Sequence, residues 1–170
     1  IWCAMHIKRA TWATGPKLGA TPAETRRYID CAAANGFKGV LVEGWNVGWD
    51  GDWFHNGKLF KFTQANPDFD LQAVTDYARS KGVRLVGHHE TSGDVGNYEA
   101  QMTAAFALYE SVGVRQVKTG YVADAGDVRR PDDNGVKVHE WHDGQFQVGH
   151  HLRVLREAAR KLANYRLPGT

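Results

Sequence analysis

The sequence has little excess charge of either sign. Its 170 residues carry 21 Lys and Arg against 19 Asp and Glu, which gives a formal net charge of +2 at pH 7. The basic residues are scattered, and arginines are adjacent only at 26–27 and 129–130. A protein that binds a phosphate backbone concentrates its cations in a patch or stripe. The charge pattern therefore gives no reason to expect nucleic acid as a partner.

Long hydrophobic runs and cysteines are also scarce. No apolar run approaches the roughly 18–20 residues that a membrane-spanning helix needs, so we expect no membrane partner. The chain opens with IWCAMHI, a strand-like segment that lacks the charged region of a signal peptide. Cys3 and Cys31 have no metal-type spacing. They could form a disulfide, but we favour two buried free thiols, and the compartment cannot be read from them.

What the sequence does contain is a regular alternation of strand and helix patterns. The helices are marked by caps: Thr21 followed by Pro22 begins the first, Asp70 the second and Asn97 the third, which ends at Gly113. The predicted strands are 1–7, 38–43, 83–88 and 114–120, the predicted helices are 21–37, 70–82, 97–113 and 149–165, and a fifth strand could begin at 166–170. This order predicts parallel βα units in a single α/β domain.

The connections between these elements differ in length. Each helix runs into the next strand through a short Asn-Gly, Lys-Gly or Val-Gly turn, whereas the segments after the strands are long. A flavodoxin-like sheet fits the number of units, but no strand is followed by a glycine-rich phosphate turn. We therefore predict a (β/α)8 barrel of the TIM type. Residues 1–170 would supply only its first four βα units, as a partial barrel domain truncated near strand five.

Polar or aromatic side chains lie at the end of every predicted strand. They are His6 and Lys8, then Glu43 and Trp45, then His88 and Glu90, and finally Lys118 and Tyr121. In a barrel the carboxyl ends of the strands converge on one pocket. Because side chains alternate along a strand, His88 and Glu90 share a direction and His89 points away.

Each of these residues has a functional and a structural interpretation. Glu90, beside two imidazoles, could be a general base or a metal ligand, or it could cap the backbone of residues 91–93. Glu43 could line the site or form a structural ion pair. His88 is a candidate for substrate contact, and Lys118 could bind a substrate hydroxyl or neutralise Glu90. We favour the functional interpretation for these four residues.

Four tryptophans and a group of histidines are further candidates. Trp12, Trp45, Trp49 and Trp53 lie in predicted loops, where they could stack on sugar rings or fill space, and we take Trp45 as a substrate contact. The HEWH segment at 139–142 does not have the HExxH spacing of a zinc site, and its surroundings indicate a hydrated loop or a hairpin. We therefore assign no metal ligand there. Near the start of the fourth helix, His151 is a weaker candidate for substrate binding.

Three segments are long and specific enough to suggest a family. They are GFKGVLVEGWNVGWDGDW, HHETSGDVGNYEAQMTAAFALYESVGVRQVKTGYV and HHLRVLREAA. These segments closely resemble the catalytic barrel of glycoside hydrolase family 97, and its α-glucosidase branch in particular. The similarity extends over nearly all 170 residues.

The resemblance implies an exo-acting, calcium-dependent enzyme that cleaves α-linked sugars and lies in the periplasm or outside the cell. It implies that Glu90 is the base that activates water, that His88 and Lys118 contact the substrate, and that Glu43 lines the pocket. Retaining members of the family carry an aspartate nucleophile at the end of strand four, where this sequence has Gly120. We therefore expect inversion, although Asp124 keeps retention open.

The resemblance also sets limits on what these residues do alone. The family's general acid, its second base and most of its calcium ligands lie beyond strand four or in another domain, so we expect the isolated 170-residue chain to be inactive. Two alternatives stay open: a retaining α-galactosidase of the same family, and a non-catalytic sugar-binding half-barrel that self-associates.

Overall fold

The computed structural model describes residues 2–3, 11–53, 55–120, 127–132, 135–140 and 144–162. In order, its elements are β1 (Trp2–Cys3), α1 (Pro22–Ala34), β2 (Gly39–Val42), α2 (Leu71–Ser80), β3 (Arg84–Glu90), α3 (Val95–Val112), β4 (Val117–Gly120), β5 (Asp127–Asp132), β6 (Gly135–Glu140) and α4 (Gly144–Leu162). A 3-10 turn, Gly57–Leu59, lies between β2 and α2. The predictions for His6, Lys8, Tyr121, Asp124 and a fifth strand fall outside the described residues.

Strands β1 to β4 form a parallel sheet in the order β1-β2-β3-β4. The register places His88 of β3 opposite Lys118 of β4, and Glu90 opposite Gly120. Because the strands are parallel, their carboxyl ends lie along one edge of the sheet. The predicted α/β architecture with a parallel sheet is therefore confirmed, and the closure of an eight-stranded barrel stays a prediction.

Side-chain caps fix the starts of three helices. The Thr21 hydroxyl accepts a hydrogen bond from the Glu24 backbone N–H at 3.2 Å, and Asp70 caps α2 in the same way at 2.9 Å, both as predicted. The prediction that Asn97 caps the third helix was wrong. Asp94 is the cap, and its carboxylate accepts a hydrogen bond from the Asn97 backbone N–H at 2.9 Å.

The side chain of Asn97 instead fastens the long β2–α2 segment to α3. Its Nδ2 donates hydrogen bonds to the backbone carbonyls of Gly57 at 2.9 Å and Phe60 at 3.1 Å. One turn along α3, Gln101 donates to the same Phe60 carbonyl at 3.0 Å and accepts from the Phe62 backbone N–H at 3.1 Å. Two amide side chains therefore hold the segment that follows Glu43 against the helix that follows Glu90.

Strand β3 is longer than the sequence pattern indicates. The prediction ended it at His88 and its core at Gly87, but the strand continues to Glu90 and stays buried from Gly87 onwards. The polar run His88–Glu90 keeps its strand conformation because β4 pairs with all three residues. The polar residues are thus built into the sheet itself and do not lie in a loop beyond it.

The segment between β4 and α4 contains regular structure. Strands β5 and β6 form an antiparallel hairpin that pairs Asp127 with Glu140 and Asp132 with Gly135. Of the two interpretations of this segment, the hairpin is the one confirmed. Helix α4 begins at Gly144 instead of at the predicted residue 149.

Cys31 is a free thiol but an exposed one. The prediction of a buried thiol was wrong because α1 buries the face formed by Thr25, Ile29 and Ala32, and Cys31 lies off that face. Among the described helices, none is long and apolar enough to cross a membrane.

The packing of α3 on β3 requires glycine at position 87. A Cβ atom there would lie 2.6 Å from Cε2 and Cζ of the buried Tyr109 ring. We expect Gly87→Ala to destabilise the fold by about 1–3 kcal/mol, the usual cost of overpacking a core. Urea unfolding of the complete protein measures the change. Thr103→Ala, on the exposed side of α3, is the control, with an expected change within about 0.5 kcal/mol, and equal stability of the two variants would contradict the clash.

Candidate active site

Two buried glutamates lie at the carboxyl ends of neighbouring strands. Glu43 directly follows β2, and Glu90 is the last residue of β3. Only 8% of Glu43 and 4% of Glu90 is exposed. Burial raises the pKa of Glu90 most, and the negative charge of Glu43 raises it further, so the two carboxylates act on each other electrostatically. The structure therefore brings together the two carboxylates that the sequence predicted.

The turn after β3 holds Glu90 in place. Its Oε1 accepts a hydrogen bond from the backbone N–H of Ser92 at 2.9 Å. Burial raises the pKa of Glu90 above its ordinary value, and this effect outweighs the Ser92 hydrogen bond and the positive charge of Lys118, which both lower it. The capping role that the sequence left open is therefore present. It is compatible with catalysis, because a general base near neutral pH benefits from a raised pKa.

Lys118 joins the site through Glu43. Its Nζ lies 3.4 Å from Oε1 of Glu43, and its side chain is half exposed. The ion pair that the sequence left open for Glu43 is thus formed, with a lysine two strands away. The sequence placed Lys118 against Glu90 or a substrate hydroxyl, whereas its charge reaches Glu90 as an electrostatic effect that lowers the pKa.

His88 is buried and neutral at the centre of this group. Its Nε2 lies 3.4 Å from Oε1 of Glu43, but burial, followed by the charge of Lys118, lowers the pKa of His88 to about 3. The contact is therefore not an ion pair at neutral pH. Neither ring nitrogen has a hydrogen-bond partner among the described residues. A neutral imidazole offers one donor and one acceptor, which suits it to bind hydroxyl groups.

His89 points to the opposite side of the sheet, as predicted. Its Nδ1 lies 2.9 Å from the Tyr98 hydroxyl, and its ring stacks on Tyr109 with centroids 4.8 Å apart. Phe62 and Phe106 contact the ring edge-on. Burial lowers the pKa of His89 to about 3, so this histidine is a neutral core residue.

Trp45 belongs to the core as well. Only 2% of it is exposed, and its indole Nε1 donates a hydrogen bond to the His88 backbone carbonyl at 3.0 Å. This burial does not support Trp45 as a sugar-stacking residue. The indole instead packs beside Tyr109, with ring centroids 5.6 Å apart, and holds the strand that carries the site.

Three other tryptophans form a cluster beside His88. The Trp49 ring lies 6.2 Å from that of Trp12 and 5.0 Å from that of Trp53, and it stacks on His88 at 6.1 Å. Trp12 and Trp53 are only partly buried. The sequence named these tryptophans but could not show that they meet, because Trp12 is far from the other two along the chain.

The described contacts of His151 do not join it to Glu43 or Glu90. It is half-buried on α4 with its ring 5.4 Å from that of His150, and burial lowers its pKa. The buried His150 has Nδ1 3.0 Å from Glu99 of α3, and Arg153 bonds the other oxygen of Glu99 at 3.1 Å. This link to Glu99 was not predicted from the sequence, where the i, i+3 spacing of His150 and Arg153 on one helix face is its only signal.

The described residues do not form a calcium site by themselves. Within the described ranges, no group of three or more His, Cys, Asp or Glu side chains is placed to hold a metal ion. Glu43 and Glu90 offer carboxylate oxygens, and Glu43 is already paired with Lys118. Calcium takes about 6–8 oxygen ligands. The described residues do not fit that requirement.

The fold and the site define a class of protein. Its members are parallel α/β domains that carry two buried, interacting carboxylates and a neutral histidine at the carboxyl edge of the sheet. Comparison with known families narrows this class, since the profile described as Glycoside hydrolase 97 matches residues 2–164. The chain belongs to glycoside hydrolase family 97.

Solved structures of family 97 enzymes from Pseudoalteromonas sp. strain K8 are similar to the chain. Three of them are a complex with acarbose, an arginine-to-lysine variant, and a glutamate-to-glutamine variant in complex with panose. Each is 57% identical over 92% of this chain, with a TM-score of 0.84. The chain spans 24% of the length of each of these proteins.

Proposed function

We propose that this chain is the first half of the catalytic (β/α)8 barrel of an inverting, exo-acting α-glucosidase that acts on starch-type oligosaccharides. The observation that carries the proposal is the buried pair Glu43 and Glu90, at adjacent strand ends beside the neutral His88. Membership of family 97 supports a glycosidase. The complexes of similar enzymes with acarbose and panose, both α-linked oligosaccharides, support the class of substrate.

In this mechanism Glu90 is the general base. Its carboxylate takes a proton from a water molecule as the water attacks the anomeric carbon, and a general acid from outside the described residues protonates the leaving oxygen. The Ser92 N–H fixes the direction of the carboxylate. The ring nitrogens of His88 and the ammonium group of Lys118 bind sugar hydroxyls. Because the general acid lies elsewhere, the 170-residue chain alone is proposed to be inactive.

Inversion is favoured by the residue opposite Glu90. Strand β4 ends at Gly120, and Gly120 is in register with Glu90. A retaining glycosidase needs a carboxylate nucleophile about 5–5.5 Å from the acid, whereas an inverting one leaves room for water. Glycine cannot attack a sugar, so this position supports an inverting α-glucosidase over a retaining α-galactosidase.

An apolar face on α4 could be buried either in a complete barrel or by self-association of a non-catalytic half-barrel. Val148, Leu152 and Leu155 are exposed and lie at i, i+4 and i+7 on one side of the helix. We propose that further βα units of a complete barrel cover this face, although a self-associating half-barrel would use it too.

For the complete enzyme we also propose calcium binding by ligands from outside the described residues, and a periplasmic or secreted location.

The stereochemistry of the product tests the proposal. We expect the complete enzyme to release β-glucose first from an aryl α-glucoside, because water attacks the face opposite the α-linked leaving group, and the aryl leaving group adds no second glucose to the anomers that are observed. Proton NMR during the first minutes of reaction distinguishes the anomers before they equilibrate. Early α-glucose would indicate retention. Saccharide binding without turnover by the complete protein, together with dimers in light scattering, would favour the non-catalytic half-barrel.

A further inference from the structure

We propose that Tyr109 of α3 is a positioning residue that fixes the His88–Glu90 end of β3, and that glycine at position 87 makes this possible. The inference rests on the proposed function, which gives His88 and Glu90 their roles. It assigns a role in the reaction to a tyrosine that faces the opposite side of the sheet.

Backbone pairing on one side of β3 ends before the site begins. The ladder with β2 pairs Leu41 with Val86 and goes no further, so β2 does not pair with the His88 N–H and C=O. The Tyr109 hydroxyl accepts a hydrogen bond from that N–H at 2.9 Å and donates one to that C=O at 3.1 Å. One side-chain hydroxyl thus takes the place of a strand partner.

The Tyr109 side chain is itself held firmly. It is fully buried, stacks on His89 with an interplanar angle of 14°, and packs against Trp45. Its ring fits over the Cα of Gly87, where any Cβ would lie 2.6 Å from two ring atoms. Burial raises the pKa of Tyr109, so the hydroxyl keeps its proton and remains a donor. The Trp45 indole donates a hydrogen bond to the same His88 carbonyl at 3.0 Å. Tyr109 and Trp45 together hold the His88 backbone, and we call this pair the clamp.

The clamp acts on the backbone between the two functional side chains of β3. The ring nitrogens of His88 make no hydrogen bond to the described residues, and Glu90 follows two residues later on the same face of the strand. Catalysis is sensitive to such placement, since a shift of about 1 Å can cost about 10²-fold in rate. Loss of the Tyr109 hydroxyl is therefore expected to lower the rate without removing any group that touches substrate.

The test is Tyr109→Phe in the complete enzyme, with Tyr98→Phe as a matched control. Both tyrosines are buried on α3, and both hydroxyls contact a histidine of β3, but the Tyr98 hydroxyl contacts the ring of the core residue His89 and not the backbone of His88. We expect Tyr109→Phe to lower kcat about tenfold and to change KM less than about threefold, the pattern of a lost transition-state interaction. Tyr98→Phe should keep kcat within about twofold, with a comparable loss of thermal stability.

Rates are compared per folded enzyme, at a temperature where circular dichroism shows both variants native. Equal kcat values for Tyr109→Phe and Tyr98→Phe would overturn the inference. If Tyr109→Phe does not fold, Trp45→Phe tests the inference in its place, because it removes one donor to the same His88 carbonyl. We expect kcat of Trp45→Phe to be about threefold lower than that of the parent enzyme. An unchanged kcat would overturn the inference. An active Glu90→Gln would instead show that the proposed function is wrong, so the two failures are distinguishable.

Discussion

Glu90→Gln is expected to lower kcat of the complete enzyme by about 10²–10⁴-fold, the usual contribution of a general base. The amide has nearly the same shape as the carboxylate, and its carbonyl oxygen can still accept the hydrogen bond from Ser92 N–H. It cannot take a proton from water. The measurement is the initial rate on maltose and on an aryl α-glucoside, together with thermal unfolding to show that the fold is kept.

A glutamate on the surface provides the control for this variant. Glu24 lies in the first turn of α1 and pairs with Arg27 of the same helix at 2.9 Å, so Glu24→Gln removes a carboxylate whose ion pair lies within α1. We expect its kcat to stay within about twofold of that of the parent enzyme. If Glu90→Gln kept more than about a tenth of the activity, Glu90 would not be the general base.

Lys118→Met should have the second-largest effect, because it removes a positive charge from beside two buried carboxylates. Lys118 lowers the pKa of Glu90, so its loss raises that pKa further. A general base works only when deprotonated, and a higher pKa therefore moves the acidic limb of the kcat/KM profile to higher pH. We expect about a 10–100-fold loss of kcat/KM at neutral pH, since the ammonium group also binds substrate.

Two further variants complete this test. One separates the charge of Lys118 from its contacts, and the other removes the negative charge of Glu43. Lys118→Arg keeps the charge and should keep the acidic limb close to that of the parent enzyme. Glu43→Gln removes a negative charge that raises the pKa of Glu90, so it should move the acidic limb to lower pH. Full pH profiles of kcat/KM provide the comparison, and shifts of the same sign in Lys118→Met and Glu43→Gln would contradict electrostatic coupling at Glu90.

Strand–helix alternation and helix caps were readable from the sequence because their causes are local. The Thr21 hydroxyl and the Asp70 carboxylate each accept a hydrogen bond from a backbone N–H three residues further along the chain. Contacts this close in sequence can be predicted from the residue pattern. The prediction that Asn97 caps α3 was wrong because the Asn97 side chain bonds instead to the carbonyls of Gly57 and Phe60, and Asp94 takes the cap position. Those bonds join residues 40 and 37 positions apart.

In the candidate site, too, some features follow from the local sequence and others depend on tertiary packing. The sequence by itself determined that Glu43 and Glu90 lie at the ends of consecutive strands, and that His88 and Glu90 share one direction, because strand periodicity fixes side-chain direction. Only the tertiary structure decided that Lys118 contacts Glu43, that Trp45 is buried and that the Tyr109 hydroxyl holds the His88 backbone. These outcomes depend on how a helix and a long loop pack against the sheet, and burial and contacts between distant residues are set by the packed chain as a whole.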